Sequence, residues 1–227
     1  MSYQQGDLLY TKIDNRFHVS KILRYDKYLG TYHICGYAPL DHRPTTNDIP
    51  NLQIAIAHSP VAAFPEAVLI TNQPVIPDEL NGYLEYLTMI DFAGYLQLTK
   101  QDSNTVVALA NELYTKAYYL TDDKKYEEAI DFYTQAFEAF PLFHEALDNR
   151  AFAKMHLARW TSAINDFKLS LYLSPGSTLA EFSIGECYLR MKDYAAAKAQ
   201  FQKTLRIDPT HELSREFLEK TLALMNV

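Results

Sequence analysis

Along residues 108–227 the apolar positions recur at helical spacing, and that pattern itself repeats. Ala129, Ala163 and Ala197 stand 34 residues apart. Tyr126, Trp160 and Tyr194 lie three residues before them, and Tyr133, Phe167 and Phe201 four residues after. Ala136, Ser170 and Thr204 follow at seven, Pro141, Pro175 and Pro209 at twelve, and Ala117, Ala151 and Gly185 precede at twelve. Small residues in two columns let antiparallel helices approach closely, and an aromatic one turn after each alanine fills the space between them. Proline cannot continue a helical hydrogen-bond ladder, so it stops the second helix of each pair. One such pair cannot bury its apolar face alone, whereas three stacked pairs can if their ends are capped.

The period and these columns resemble the tetratricopeptide repeat family. The resemblance is clearest in Tyr126-Glu127-Glu128-Ala129-Ile130, Tyr194-Ala195-Ala196-Ala197, Phe137-Glu138-Ala139-Phe140-Pro141 and Leu205-Arg206-Ile207-Asp208-Pro209. It covers about half the chain. It implies an all-α superhelix over 108–227, with repeats at 110–143, 144–177 and 178–211 and a capping helix at 212–225. The last has Leu213, Phe217, Leu218, Leu222 and Met225 on one stripe. Repeat one departs from the pattern at Lys116, where a large apolar residue is usual, and its Asp122-Asp123-Lys124-Lys125 turn leaves room for a one-residue shift.

Ahead of the repeats the periodicity changes to that of strands. Leu8 to Ile13, Phe17 to Tyr25 and Thr31 to Tyr37 are joined by short polar connections at Asp14-Asn15-Arg16 and Asp26 to Gly30, which suits an antiparallel meander. A polar loop runs from Pro39 to Pro50. Strands are expected at Leu52 to Ala57 and Ala67 to Thr71, and a helix from Pro77 to Ile90. The fold expected for residues 1–100 is therefore a small α+β domain, an antiparallel β-barrel or curved sheet with one helix. The element order resembles the immunity protein 26 family of bacterial toxin-neutralising domains. That resemblance rests on Gly6-Asp7-Leu8-Leu9, the three-strand start, Ile56-Ala57-His58-Ser59 and Val68-Leu69-Ile70. It implies a bacterial chain that blocks a toxin through this domain.

Composition narrows the function classes. The chain of 227 residues has net charge −7, shared as −3 over residues 1–100 and −4 over the remainder. That balance argues against nucleic acid, which needs clustered Lys and Arg. The start of the chain has no basic segment followed by an apolar run, and no apolar stretch reaches spanning length, so no signal peptide or membrane span is expected. Two cysteines, Cys35 and Cys187, fit free thiols in a reducing, cytoplasmic setting. No G-x-S-x-G, P-loop or G-x-G-x-x-G occurs, so neither an enzyme nor a cofactor is expected. His33 and Cys35 alternate onto one strand face, with His18, His42 and His58 in the same domain, which keeps a metal-binding or enzymatic domain as an alternative.

The tetratricopeptide resemblance implies a partner-binding groove lined by first helices. Its positions fall on Asn111, Tyr114 and Tyr118, then Glu145, Asp148, Asn149, Phe152 and His156, then Leu179, Phe182, Glu186 and Arg190. Aromatics mixed with a few polar groups suit a protein or peptide. The alternative occupant is the chain's own N-terminal domain, and self-association through the array is a further open choice. In this family, domains that grip acidic chaperone C-termini use Lys, Asn, Asn, Lys and Arg. Here those positions hold Tyr114, Tyr118, Asn149, Leu179 and Ser183, so only Asn149 matches and that ligand class is not expected.

Overall fold

The computed structural model describes residues 3–225, and the chain divides into two compact units, Met1–Thr99 and Lys100–Val227.

The first unit begins with β1 (Asp7–Ile13), β2 (Arg16–Asp26) and β3 (Thr31–Tyr37). Asp14 and Asn15 both take positive φ (47° and 66°), the two-residue hairpin geometry that matches strand twist. In the β2–β3 turn the Asp26 carboxylate accepts from the Tyr28 and Leu29 amides at 2.8 and 3.0 Å. The backbone bond from Leu29, followed by that from Tyr28 and the charge of His33, outweighs desolvation and holds this carboxyl below its usual range. A 3-10 helix (Thr46–Asn51) interrupts the expected loop. Then come β4 (Ile54–Val61), β5 (Val68–Asn72), α1 (Pro77–Ile90) and α2 (Phe92–Thr99).

Strand order is β4-β3-β2-β1-β5, antiparallel throughout. The edges β4 and β5 do not pair, so the sheet is open and the barrel form is corrected. Leu8, Val19, Leu23 and Cys35 pack with Tyr83 and Leu87 of α1, while Leu9, Ile22 and Ile34 pack with Phe64 and Ala67. Both faces thus gain apolar cover without closure. Gly82 permits the approach of α1 to β4: a Cβ there would sit 2.6 Å from the Ala57 carbonyl carbon.

A buried polar chain anchors the start of α1. Lys21, 3% exposed, donates to Glu79 and to the Pro74 carbonyl at 2.8 Å, and the Tyr37 hydroxyl donates to Glu79 at 2.6 Å. The Ile76 amide donates to Glu79 Oε2 at 2.9 Å. Burial opposes the Glu79 charge, but the bonds from Lys21, Tyr37 and Ile76 outweigh it, and the carboxyl is held below its ordinary range.

His33 and His58 stack between β3 and β4, with ring centroids 5.2 Å apart and Nδ1 and Nε2 at 2.9 Å. Tyr83 and Tyr86 of α1 close over both rings. From β2, Asp26 raises and Arg24 lowers the His33 pKa, but burial is the largest influence and lowers it. His58 is lowered by burial and then by His33. The unfolded chain therefore binds protons before these histidines do. Their contribution is complete above the ordinary histidine value of 6.5 and is lost as pH falls from there through the depressed folded values. Melting curves of the full chain should shift down between about pH 7.5 and about pH 5.5. His58→Gln should flatten that dependence; a slope unchanged by the substitution would assign it to other groups.

The second unit is a run of paired helices: α3 (Ser103–Asp122) with α4 (Tyr126–Ala139), α5 (His144–His156) with α6 (Trp160–Leu173), and α7 (Thr178–Arg190) with α8 (Tyr194–Ile207), followed by α9 (Glu212–Met225). Ala117, Ala129, Ala151, Ala163 and Ala197 are fully buried, as are Phe167 and Phe201, with Tyr133 at 1% exposure. Gly185 closes the series for a steric reason: a Cβ there would lie 2.6 Å from Cε1 of Phe201. Lys116, the departure in repeat one, holds its ammonium 3.9 Å from the centre of the Phe132 ring.

The intra-pair turns agree in backbone detail. Lys124, Ala158 and Lys192, 34 residues apart, all have positive φ (61°, 56° and 62°), so repeat one carries no one-residue shift. The next amide in each turn bonds back five residues: Lys125 to Leu120, Arg159 to Lys154 and Asp193 to Tyr188, at 2.8 to 3.0 Å. This is the closing bond of a Schellman turn. α3 starts at Ser103, ahead of Ala110, because the Asp102 carboxylate caps it by accepting from the Thr105 amide at 2.8 Å.

Candidate peptide-binding face

The first helices α3, α5 and α7 carry the residues expected to line a groove. Tyr114 and Asn149 bridge α3 and α5: Asn149 Nδ2 donates to the Tyr114 hydroxyl at 2.6 Å and to the Glu145 carbonyl at 3.2 Å. The Tyr114 ring rests on Phe143, with centroids 5.0 Å apart. Burial raises the Tyr114 pKa, and Glu145, Tyr118 and Asp148 act on it in the same direction. Tyr114, Tyr118, Glu145, Asp148 and Asn149 therefore form one electrostatic neighbourhood. Tyr118 is half exposed at 50%, edge-on to Tyr119.

Asp148 is unusual within that group. Its Oδ1 is buried and has no hydrogen-bond partner. Burial pushes its pKa up, opposed by a hydrogen bond from Ser170 and by His144, while Glu145 adds to the rise.

The other expected residues occupy different surroundings. Phe152 is half-buried, edge-on to Phe167 at 5.1 Å. His156 stacks flat on Tyr126 of α4, with centroids 4.4 Å apart. Phe182 is 8% exposed, enclosed by Phe201, His211 and Phe217. It packs repeat three against α9 and offers little surface to a ligand. Leu179 is exposed at 54%, and Glu186 and Arg190 pair at 3.4 Å. Asn111 is exposed, and its carbonyl accepts from Thr115. Ser183, at a position where the acidic-tail clamp carries a cation, is buried.

One network was not anticipated. Arg150 holds Asp166 of α6 with two bonds of 2.8 and 2.9 Å and also donates to Thr134 of α4, while Lys154 reaches Asp166 at 2.6 Å. The signal for it was the Arg150 and Lys154 pair at i,i+4, one helix face aimed at a single carboxylate.

The histidines and cysteines of the first unit do not assemble a metal centre. His42 pairs with Asp48 at 2.8 Å, His33 with His58, and Cys35 lies against Tyr37. Among the described residues no group of three His, Cys, Asp or Glu side chains could hold a metal ion. Both cysteines are free and buried, and burial pushes the Cys187 thiol up to about 12. Among the described residues no helix is long and apolar enough to cross a membrane.

Comparisons with known proteins bear on the helical unit. Family models described as tetratricopeptide repeat match residues 113–141 and 179–211. The chain is 32% identical over 133 residues to rat sperm-associated antigen 1, a match covering 59% of this chain and 14% of that protein. The chain thus spans about a seventh of that relative's length. Among solved structures it resembles the first tetratricopeptide domain of Spaghetti (RPAP3) bound to the HSP90 peptide SRMEEVD. That match has a TM-score of 0.50 and 26% identity over 53% of this chain and 95% of that one. The first such domain of human RPAP3 gives the same TM-score and identity, over 53% and 94%. Tetratricopeptide repeats are thus present in the C-terminal unit of this chain.

Proposed function

We propose that this protein is a non-catalytic interaction module whose stacked repeats form a superhelical groove for a protein or peptide segment. The observation that carries this reading is the cluster of Tyr114, Tyr118, Glu145, Asp148 and Asn149 on neighbouring first helices, with Leu179 exposed on the next first helix. The relative with a bound HSP90 peptide supports a peptide as the occupant of such a face. It does not carry over the peptide's chemistry. Of the five positions that would clamp an acidic tail, this chain has only Asn149, and that amide is bonded to Tyr114.

Tyr118→Ser with Leu179→Ser is the informative variant, because both side chains are half exposed and their loss leaves no cavity. In affinity capture from the native cell, the variant should fold normally by circular dichroism and lose the partner retained by the wild type. Undiminished capture would rule out this face.

A second reading gives the first unit a blocking role towards a protein partner. It is favoured by the β2–β3 hairpin tip, where Tyr28 is fully exposed and Leu29 is 68% exposed. In the same experiment, loss of capture by Tyr28→Asp with Leu29→Asp, and not by the groove variant, would favour that reading.

A further inference from the structure

The charges on the first helices are unequally satisfied. Together α3, α5 and α7 carry four Lys or Arg side chains (Lys116, Arg150, Lys154, Arg190) and six carboxylates (Glu112, Asp122, Glu145, Asp148, Glu181, Glu186). Every one of the four cations is engaged within the unit. Arg150 and Lys154 converge on Asp166, Arg190 pairs with Glu186, and Lys116 lies on the Phe132 ring. Lys203 takes up Glu181. The carboxylates beside Tyr114 are left without such a partner. Among the described residues, Glu145 has the His144 imidazole at 3.5 Å as its one ionic partner, and one Asp148 oxygen has no hydrogen-bond partner.

We propose that the groove selects a segment bearing a lysine or arginine, whose cation is received by Glu145, with the Asp148 charge behind it, beside the tyrosine rings of Tyr114 and Tyr118. This rests on the groove reading above and names the chemistry of its occupant. Three observations converge on it. Among the described residues no Lys or Arg pairs with Glu145 or Asp148, so an acidic segment placed against them would meet repulsion. An ammonium or guanidinium held by exposed Glu145 places a positive charge near Asp148, and that charge offsets the burial that raises the Asp148 pKa. Tyr118 offers half of its surface, and tyrosine faces attract cations.

The test is to pan a displayed random-peptide library against the intact chain and then measure the enriched peptides by fluorescence anisotropy. The arginine-free acidic heptapeptide SAMEEVD, made from the peptide SRMEEVD by replacing its arginine with alanine, serves as a fixed comparison. Enriched peptides are expected to share a Lys or Arg and to weaken as salt is raised. They should lose about tenfold in affinity on Asp148→Asn and on Glu145→Gln. Asp148→Asn keeps the side-chain shape and removes a charge that burial disfavours, and Glu145 is largely solvent-facing, so both variants are expected to fold. Enrichment of acidic or uncharged peptides whose binding is lost with Tyr118→Ser, or tight binding of the arginine-free SAMEEVD, overturns the cationic preference and leaves the groove reading standing. No enrichment, or enrichment indifferent to Tyr118→Ser, overturns both.

Discussion

Phe201→Ala should destabilise the C-terminal end of the helical unit by about 3–5 kcal/mol, the cost of deleting a buried phenylalanine that its surroundings cannot replace. Phe201 is fully buried, with its ring edge in the space left by Gly185 and with Phe182 and Phe217 at 5.7 and 5.8 Å. It joins three helices, so the loss falls on α7, α8 and α9 together. In a stacked array each pair depends mainly on its neighbours, so α3 and α4 should keep their protection while the far end frays. Hydrogen exchange resolved by segment checks this; equal loss in all the pairs would mean that the array unfolds as one block. Gly185→Ala should also cost about 1–3 kcal/mol, here by overpacking. The pair of results would show that the small column and the aromatic column form one contact.

In the first unit the largest effect is expected at Glu79. Glu79→Gln removes the charge facing Lys21 and leaves that ammonium buried with the Pro74 carbonyl and a neutral amide. Breaking a buried pair by removing one partner costs about 3–5 kcal/mol. Denaturant melts of the variant should show this as a lower midpoint. Adding Lys21→Met should recover a large part of the loss, because the uncompensated charge is then gone as well. A double variant no more stable than Glu79→Gln would mean that Lys21 contributes through packing alone.

What the sequence conveyed depended on how local the cause was. The 34-residue period could be read because each column meets a single steric demand, with alanine where backbones approach, an aromatic where they leave a gap and proline where a helix ends. The bounds of α1 agree with its expected span because Pro77 starts the helix and Asp78 and Glu79 suit its first turn. The eight-residue α2 went unseen. It begins two residues after α1 stops, and the Asp91 carboxylate that accepts from the Gly94 amide is a cap too short-ranged to stand out. The α3 extension was missed for a similar reason, since its signal is a single capping aspartate. Phe182 shows the other kind of miss. Its helix position is that of a groove residue, but α9 follows repeat three and sets Phe217 against the ring. No local pattern around residue 182 reveals the covering helix. The Tyr114–Asn149 bond joins neighbouring pairs and was equally invisible, although both residues were correctly placed on first helices.

The left-handed turn residues carry a meaning that residue letters hide. At that position the chain spells lysine, alanine and lysine, none of them a residue that favours the left-handed region. The dihedrals repeat it in all three pairs. Glycine would occupy the same conformation without the roughly 1–2 kcal/mol that a side chain pays there. The bend is therefore imposed by the helices on either side of it and not by the residue that makes it. Copies of an ancestral unit can drift in lettering at such a site while inheriting the same corner, so the history of duplication here is kept more faithfully in backbone angles than in the alphabet.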